Sequence, residues 1–408
     1  DLPTIVELSC QASMTQPGDR QGAPSAPAAA GTDRVSAKTL RQSAEQILED
    51  VPFFGRMAKD PKTRAQMLAA LAAVPLPEPL VLTLSAAYDT HHEVYLHLVR
   101  TALTASWLAR TPALTRCDAG MAAAAGLLHD IGMMQVDPQI MDPDHVLTAG
   151  QHAQLYAHPQ RATSLLLQQQ GVFPAEVVRA VGEHHECLDG SGYPRNLAGD
   201  AISPLGKLLS LAQVVAAMFA PGRSSPEMRL SVLLRMTWHR YDNAMGMQVL
   251  SLLKPHLDVM SAELQLLDDP IAHLCEINRL LRQWPLQLDQ AKGLTPARKA
   301  AVATLAGYAS QMQRVLAGVG AVPDQLALLA GDAQDDALLA ELTLLTREAS
   351  WQLGTLARQT RRRWDAQPGE EYPNALHQWL DDTGALLAAV SGILPDDPAG
   401  SGARGPRG

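Results

Sequence analysis

Thirteen histidines are unevenly spread over the 408 residues of the chain. A cluster lies between His91 and His185, and its members come with acids. Glu93 and His97 are four residues apart, a spacing that puts two side chains on one helix face. His129 and Asp130 are adjacent at the end of an apolar run, in GLLHDIG. His158 follows in AHPQ, and His184 and His185 form a doublet in EHHE. Imidazole and carboxylate together suit Zn, Fe, Mn or Ni, metals that act as Lewis acids. A single histidine is more often a surface or core residue than a ligand. Three apolar segments that each end in His or His-Asp are a stronger signal, because inward-facing side chains on neighbouring helices are one way to build a metal site. Two metals about 3.5–4 Å apart can activate a water and hold both oxygens of an in-line phosphoryl displacement. The residues by themselves therefore point to metal-assisted phosphoester hydrolysis.

The segments that must position these groups read as helices. Apolar residues make up 47% of the chain but aromatic ones only 4%, so Leu and Ala carry the apolar share. Ala and Leu favour helix, whereas strands prefer branched and aromatic residues. Apolar residues recur at helical spacing over 96–109, 119–128, 149–155, 162–170, 175–184 and 204–219. No segment alternates with period two, so an all-α fold is expected: a helical bundle around the site, with an additional C-terminal helical bundle. Pro75, Pro77 and Pro79 end the helix expected over 62–73. The expected organisation is a flexible leader at 1–35, a helical lead-in at 36–80, the site-bearing domain at 81–260, a C-terminal helical domain at 261–395 and a disordered tail at 396–408.

Thirty-three basic and 42 acidic residues give a net charge of −9, which argues against a nucleic-acid polymer or a membrane surface as partner. No run of 18 apolar residues offers a membrane span. The four cysteines lie far apart without a CxxC pair, which suits reduced thiols rather than a disulfide framework. No basic region followed by an apolar stretch opens the chain, so a cytoplasmic protein is expected. The first residue is Asp1 rather than Met.

The order His97, His129-Asp130, His158, His184-His185 resembles the HD superfamily of metal-dependent phosphohydrolases. Residues 184–194 read HHECLDGSGYP and match the HD-GYP signature HHExxDGSGYP at every fixed position. The resemblance covers about residues 85–260. It implies two or three Fe or Mn ions in an all-helical bundle and hydrolysis of cyclic di-GMP, a bacterial second messenger. By position it implies Glu93, His97, His129, Asp130, His158, His184 and His185 as metal ligands, with Gln213 in the place of a final Asp ligand. Asp130 would bridge two metals, and His129 and Asp130 would be catalytic. Arg100, Gly192, Tyr193 and Pro194 would meet the substrate, the last three as the loop that shapes its mouth.

Two positions depart from the family pattern. HDIGK becomes HDIGM, so Met133 replaces a lysine expected to hold a substrate phosphate. Gln213 offers a neutral carbonyl oxygen where an aspartate is expected, so the metal it would share with His97, His129 and Asp130 loses a negative ligand. Losing one charge-assisted contact costs about 1.5–3 kcal/mol, a factor of roughly 10 to 10² in rate. Three readings follow: a cyclic di-GMP phosphodiesterase whose turnover these residues reduce; a degenerate member that senses a nucleotide or binds a protein without cleaving; and a phosphohydrolase acting on another substrate, such as a nucleotide.

The remaining candidates read as structural. His91, His92, His145 and His152 fit exposed loops and helix faces, and Cys187 fits an inert thiol. Leu344, Leu345, Leu356, Trp351 and Trp379 read as amphipathic faces of the C-terminal bundle, which could pack on a protein partner or in a homodimer. Arg361, Arg362 and Arg363 read as a solvated helix face.

Overall fold

The computed structural model describes residues 34–110, 118–141, 145, 147–221, 225–253, 266–288, 296–329, 336–365 and 374–391. The expected leader, apart from residues 34 and 35, and the whole tail lie outside the described residues, as do the side chains of Arg362 and Arg363. The chain divides into two compact units, residues 1–256 and 257–408. The fold is all-α, and the one β-type pairing among the described residues is an isolated bridge between Asp189 and Ala198.

The first unit holds α1 (Ala37–Asp50), α2 (Pro52–Met57), α3 (Pro61–Ala72), α4 (Glu78–Thr90), α5 (His92–Leu108) and α6 (Ala119–Leu128). It continues with α7 (Ala149–Tyr156), α8 (His158–Leu167), α9 (Ala175–Val181), α10 (Pro204–Met218), α11 (Pro226–Met236) and α12 (Asn243–Leu252). Local chemistry starts these helices. Ser36 and Thr39 form a capping box on α1, and Thr148 and Gln151 form one on α7. Asp60 caps α3, Asp118 caps α6, and Ser203 followed by Pro204 opens α10.

Helices α5, α6 and α10 form the centre of this unit. Nearly all of α10 is buried, as is α5 from Leu98 onward. The small residues of α6 let it lie close against α5. A Cβ on Gly126 would fall 2.6 Å from the Ala102 Cα, so only glycine allows that approach. The helices within 36–80, expected as a lead-in, belong to this same unit: α1 and α3 pack on α5, and Ser43 reaches the Tyr95 hydroxyl at 3.0 Å.

Several helix ends differ from the periodicity; α5, for one, starts at His92 rather than at 96. The helix expected to run to His184 stops at Val181, because Gly182 and the His184 ring take over its last carbonyls. Helix α8 starts four residues earlier than expected, at His158, with Pro159 in its first turn.

The second unit holds α13 (Pro270–Leu288), α14 (Pro296–Gly318), α15 (Pro323–Leu329), α16 (Asp336–Asp365) and α17 (Asn374–Ser391). It is a bundle in which α13 touches all four of the others. Leu344, Leu345, Leu356 and Trp379 are buried, while Trp351 is partly exposed. Trp379 meets Trp284 edge to face, centroids 4.6 Å apart, and its indole N–H donates to the Leu280 carbonyl. No described helix is long and apolar enough to cross a membrane.

Candidate metal centre

Three histidines stand at helix ends, and each is aimed in the same way. His129 follows α6, His158 follows α7, and His184 lies just past α9. Each Nδ1 lies against the carbonyl three residues back: Gly126 at 2.8 Å, Leu155 at 2.5 Å and Val181 at 2.6 Å. A carbonyl only accepts, so each Nδ1 carries the proton and donates. These contacts satisfy backbone oxygens that a helix end leaves open. They also fix the tautomer and turn the three Nε2 atoms to a common point.

At that point sits Asp130. Its Oδ2 lies 3.2 Å from His129 Nε2 and 3.7 Å from His97 Nε2. Its Oδ1 lies 3.1 Å from His158 Nε2 and 3.2 Å from His184 Nε2. The imidazoles also crowd one another: His97 and His129 Nε2 are 3.3 Å apart, and His158 Nε2 is 3.1 Å from those of both His184 and His185. Two groups result, His97-His129-Asp130 and Asp130-His158-His184-His185, joined through the shared carboxylate.

For His129, His158 and His184, whose Nδ1 carries the proton, a hydrogen bond from Nε2 to Asp130 would need an imidazolium. Burial opposes that. It pushes His97 down to about 3 and His184 down to about 4, and it holds His185 well below the usual imidazole value. With Nδ1 donating to a carbonyl, the inward Nε2 of each neutral ring at His129, His158 and His184 presents a lone pair. Asp130 Oδ1, itself buried, accepts no hydrogen bond. Lone pairs facing a carboxylate oxygen across about 3 Å make a donor set that a cation would satisfy. Imidazole with carboxylate fits a divalent transition metal.

Two further expected ligands make other contacts. Glu93 is half exposed and turned to Arg100, whose Nη2 donates to it at 3.3 Å. Arg100 is buried, and desolvation lowers its pKa despite the Glu93 carboxylate. Gln213 is buried on α10, with Nε2 3.4 Å from both the His184 carbonyl and His185 Nδ1. It thus meets the doublet, whereas the resemblance put it with His97, His129 and Asp130.

The loop after the doublet is pressed onto it. A Cβ on Gly192 would run into the backbone of His185, Glu186 and Cys187, so the position admits only glycine. Tyr193 is buried, its ring stacked on His185 and edge-on to Tyr156 at 4.9 Å. A cis peptide bond joins Tyr193 to Pro194. Tyr193 therefore covers one face of His185.

Met133 lies in a 3₁₀ turn spanning Ile131–Gln135 and packs against Val136, Ile140 and Leu155. Gly132 passes so close to the His158 carbonyl that no side chain fits there. His91, His92, His145 and His152 stay outside the cluster; His92 sits between Tyr88 and Tyr95, and His145 meets Gln151. Cys187 is buried, and burial pushes its thiol up to about 11.

Sequence reasoning missed the two acids that flank the doublet. Glu183 and Glu186 are both buried. Burial raises the Glu186 carboxyl, whereas hydrogen bonds from Ser203 and Arg179 outweigh burial at Glu183 and lower it. The signal was present in EHHE, where an acid stands on each side of the histidines.

The HD domain family model matches residues 42–249, half of the chain. The match begins within α1, so most of the 36–80 segment lies inside it. The chain is 28% identical over 232 residues to the 3'3'-cGAMP-specific phosphodiesterase 3 of Vibrio cholerae, covering 55% of this chain and 50% of that protein. It is 36% identical over 124 residues to the cyclic di-GMP phosphodiesterase PA4108 of Pseudomonas aeruginosa, covering 30% of each. The chain thus spans half or less of the length of these curated relatives. A solved structure of Bd1817 from Bdellovibrio bacteriovorus is similar at 19% identity and a TM-score of 0.35, over 53% of this chain and 70% of that one.

Proposed function

The chain belongs to the HD domain family, as an HD-GYP member by its His184–Pro194 run, and on that premise we propose that it hydrolyses a phosphodiester bond of a cyclic dinucleotide, cyclic di-GMP foremost. One observation carries the reading: the two oxygens of Asp130 face separate sets of imidazole nitrogens in a buried centre. His97, His129 and Asp130 hold one divalent ion, and Asp130, His158, His184 and His185 hold a second, with Fe or Mn the ions that the family resemblance implies. Glu93 joins as a ligand, and makes room for a third ion, when it leaves Arg100. Gln213 contributes its amide oxygen once turned toward the ions.

Such ions, when bound, supply Lewis acidity and an activated water. The rest is done by the chain. Asp130 brings the negative charge that holds the ions together. The carbonyls of Gly126, Leu155 and Val181 keep three Nε2 atoms free of protons. Tyr193 keeps water off one face of His185. Arg100, once released by Glu93, offers a guanidinium to a substrate phosphate, and Gly192, Tyr193 and Pro194 hold the loop that borders the substrate. The printed names of the relatives, which pair phosphodiesterase with cyclic di-GMP or 3'3'-cGAMP, support the substrate class. The reading carries with it a cytoplasmic location and a C-terminal unit that binds a protein partner or a second copy of the chain.

The test is incubation of Mn- or Fe-loaded protein with cyclic di-GMP, 3'3'-cGAMP and a linear dinucleotide, with products resolved by chromatography. Ring opening that disappears in His129→Ala is the expected result. Bound metal without turnover on any of these would end the catalytic reading. That outcome favours the second reading, a degenerate sensor or adaptor. Its motivation is Met133, which packs among apolar side chains and offers a phosphate no charge, together with the uncharged Gln213.

A further inference from the structure

The His184-His185 doublet is bracketed by two buried carboxylates that share one partner. Glu183, fully buried, accepts from Arg179 Nε at 2.7 Å, Arg195 Nη2 at 2.9 Å, the Ser203 amide at 2.8 Å and Ser203 Oγ at 2.6 Å. Glu186 accepts from the Arg195 amide at 2.8 Å and the Leu197 amide at 2.8 Å. Arg195, the residue after the GYP triplet, thus reaches the acid before the doublet with its side chain and the acid after it with its backbone. The same Ser203 Oγ caps α10 by accepting from the Gly206 amide, and a Cβ on Gly206 would fall 2.6 Å from Glu183 Oε2. Glu183 therefore ties together the end of α9, the start of α10 and the signature loop.

We propose that Glu183 and Arg195 form a clamp that positions His184 and His185 for metal. Neither residue reaches the centre itself. A buried carboxylate with four donors fixes its own backbone tightly, because leaving any of them unpaired in a buried setting is costly. His184 is the next residue, and its ring is aimed by Val181 on the other side. The clamp therefore acts on the turn between α9 and the signature loop, and partners of this kind typically change metal affinity 10- to 100-fold. Of the clustered residues only His184 and His185 lie on this turn; His97 is on α5 and His129 closes α6.

The proposal rests on the reading that the doublet holds metal, and the two can fail separately. Chelator-stripped full-length protein is titrated with Mn²⁺ by calorimetry, with His97→Ala and His185→Ala used to assign the binding steps. Arg195→Ala is expected to weaken the step lost in His185→Ala by about 10- to 100-fold, to leave the step lost in His97→Ala within about threefold, and to be partly rescued by Arg195→Lys. Should Arg195→Ala fail to fold, Glu183→Gln, which keeps the acceptor oxygen for Ser203 but drops the charge, decides by the same readout. Wild-type affinity in the folded variant, or equal weakening of both steps, overturns the clamp. Wild-type protein that binds no Mn²⁺ or Fe²⁺ overturns the metal reading and the clamp with it.

Discussion

Tyr193 lies face to face on His185, with ring centroids 4.5 Å apart and planes 18° from parallel. The tyrosine of the signature is thus spent on a histidine of the same signature. Tyr193→Ala should open one face of His185 to water and lower Mn²⁺ affinity by about tenfold. Tyr193→Phe, which keeps the stack, should stay near the wild type. Calorimetric titration of the three proteins checks this, and an alanine variant that binds as well as the wild type would count against a shielding role.

Metal removal should destabilise the first unit. The centre gathers the lone pairs of His129, His158 and His184 around a carboxylate, so stripping the cation leaves acceptors that repel. Saturation at about 100 times the dissociation constant adds about 2.7 kcal/mol to stability. The melting midpoint of chelator-treated protein should rise on adding Mn²⁺ but not Mg²⁺, which prefers oxygen ligands. Identical midpoints with and without Mn²⁺ would contradict the site.

Gly126→Ala should be costly despite the high helix propensity of alanine. The new Cβ would sit 2.6 Å from the Ala102 Cα and 2.8 Å from its nitrogen, both backbone atoms. Forcing α5 and α6 apart is expected to cost about 1–3 kcal/mol and to weaken metal binding, since His97 and His129 sit on those two helices. Urea denaturation with a parallel Gly307→Ala control, where a Cβ meets nothing within 4 Å, separates crowding from propensity.

Restoring the family residues should have unequal effects. Gln213→Asp sets a carboxylate beside His185 and should raise divalent-metal affinity. Met133→Lys withdraws an apolar side chain from the Val136-Ile140-Leu155 cluster and should lower stability by about 1 kcal/mol. Turnover of the double variant, compared with each single, shows which loss limits the chemistry. A double variant no faster than the wild type would place the limit elsewhere.

Asp189 should make the signature loop acid-sensitive. Burial alone would raise its carboxyl, but His239, Arg240 and Ser191 outweigh that and hold it at about 2, against an ordinary 3.8. A folded value below the unfolded one gives stability that is fully present above the ordinary value and is lost as pH falls through about 2. The effect is on the order of 2 kcal/mol. Denaturation midpoints of wild type and Asp189→Asn should therefore converge between pH 4 and pH 2, and midpoints that stay parallel would refute the linkage.

Much of the centre was legible because the residue types announce it. His129-Asp130 and His184-His185 each close an apolar run, and helical periodicity places such ends at the surface of a bundle core. The carboxylate that two groups share was equally readable in HDIG. The pairing of Glu93 with Arg100 was not, because spacing says which helix face a side chain takes but not whether a basic neighbour one turn beyond His97 captures it. The stacking of Tyr193 on His185 was hidden for a related reason, since a turn sequence fixes the bend of a loop and not which side of it faces inward. The pairing of Glu183 with Arg195 spans twelve residues and a cis peptide bond, and no local pattern encodes it.

Each of three imidazoles takes its bearing from a carbonyl three residues behind it on its own chain. Orientation is thereby settled locally, before any helix meets another, and tertiary packing is left with a single task, the spacing of helix ends around Asp130. A slip of α6, α7 or α9 by one turn along its axis would leave every ring turned the right way and out of reach of its neighbours.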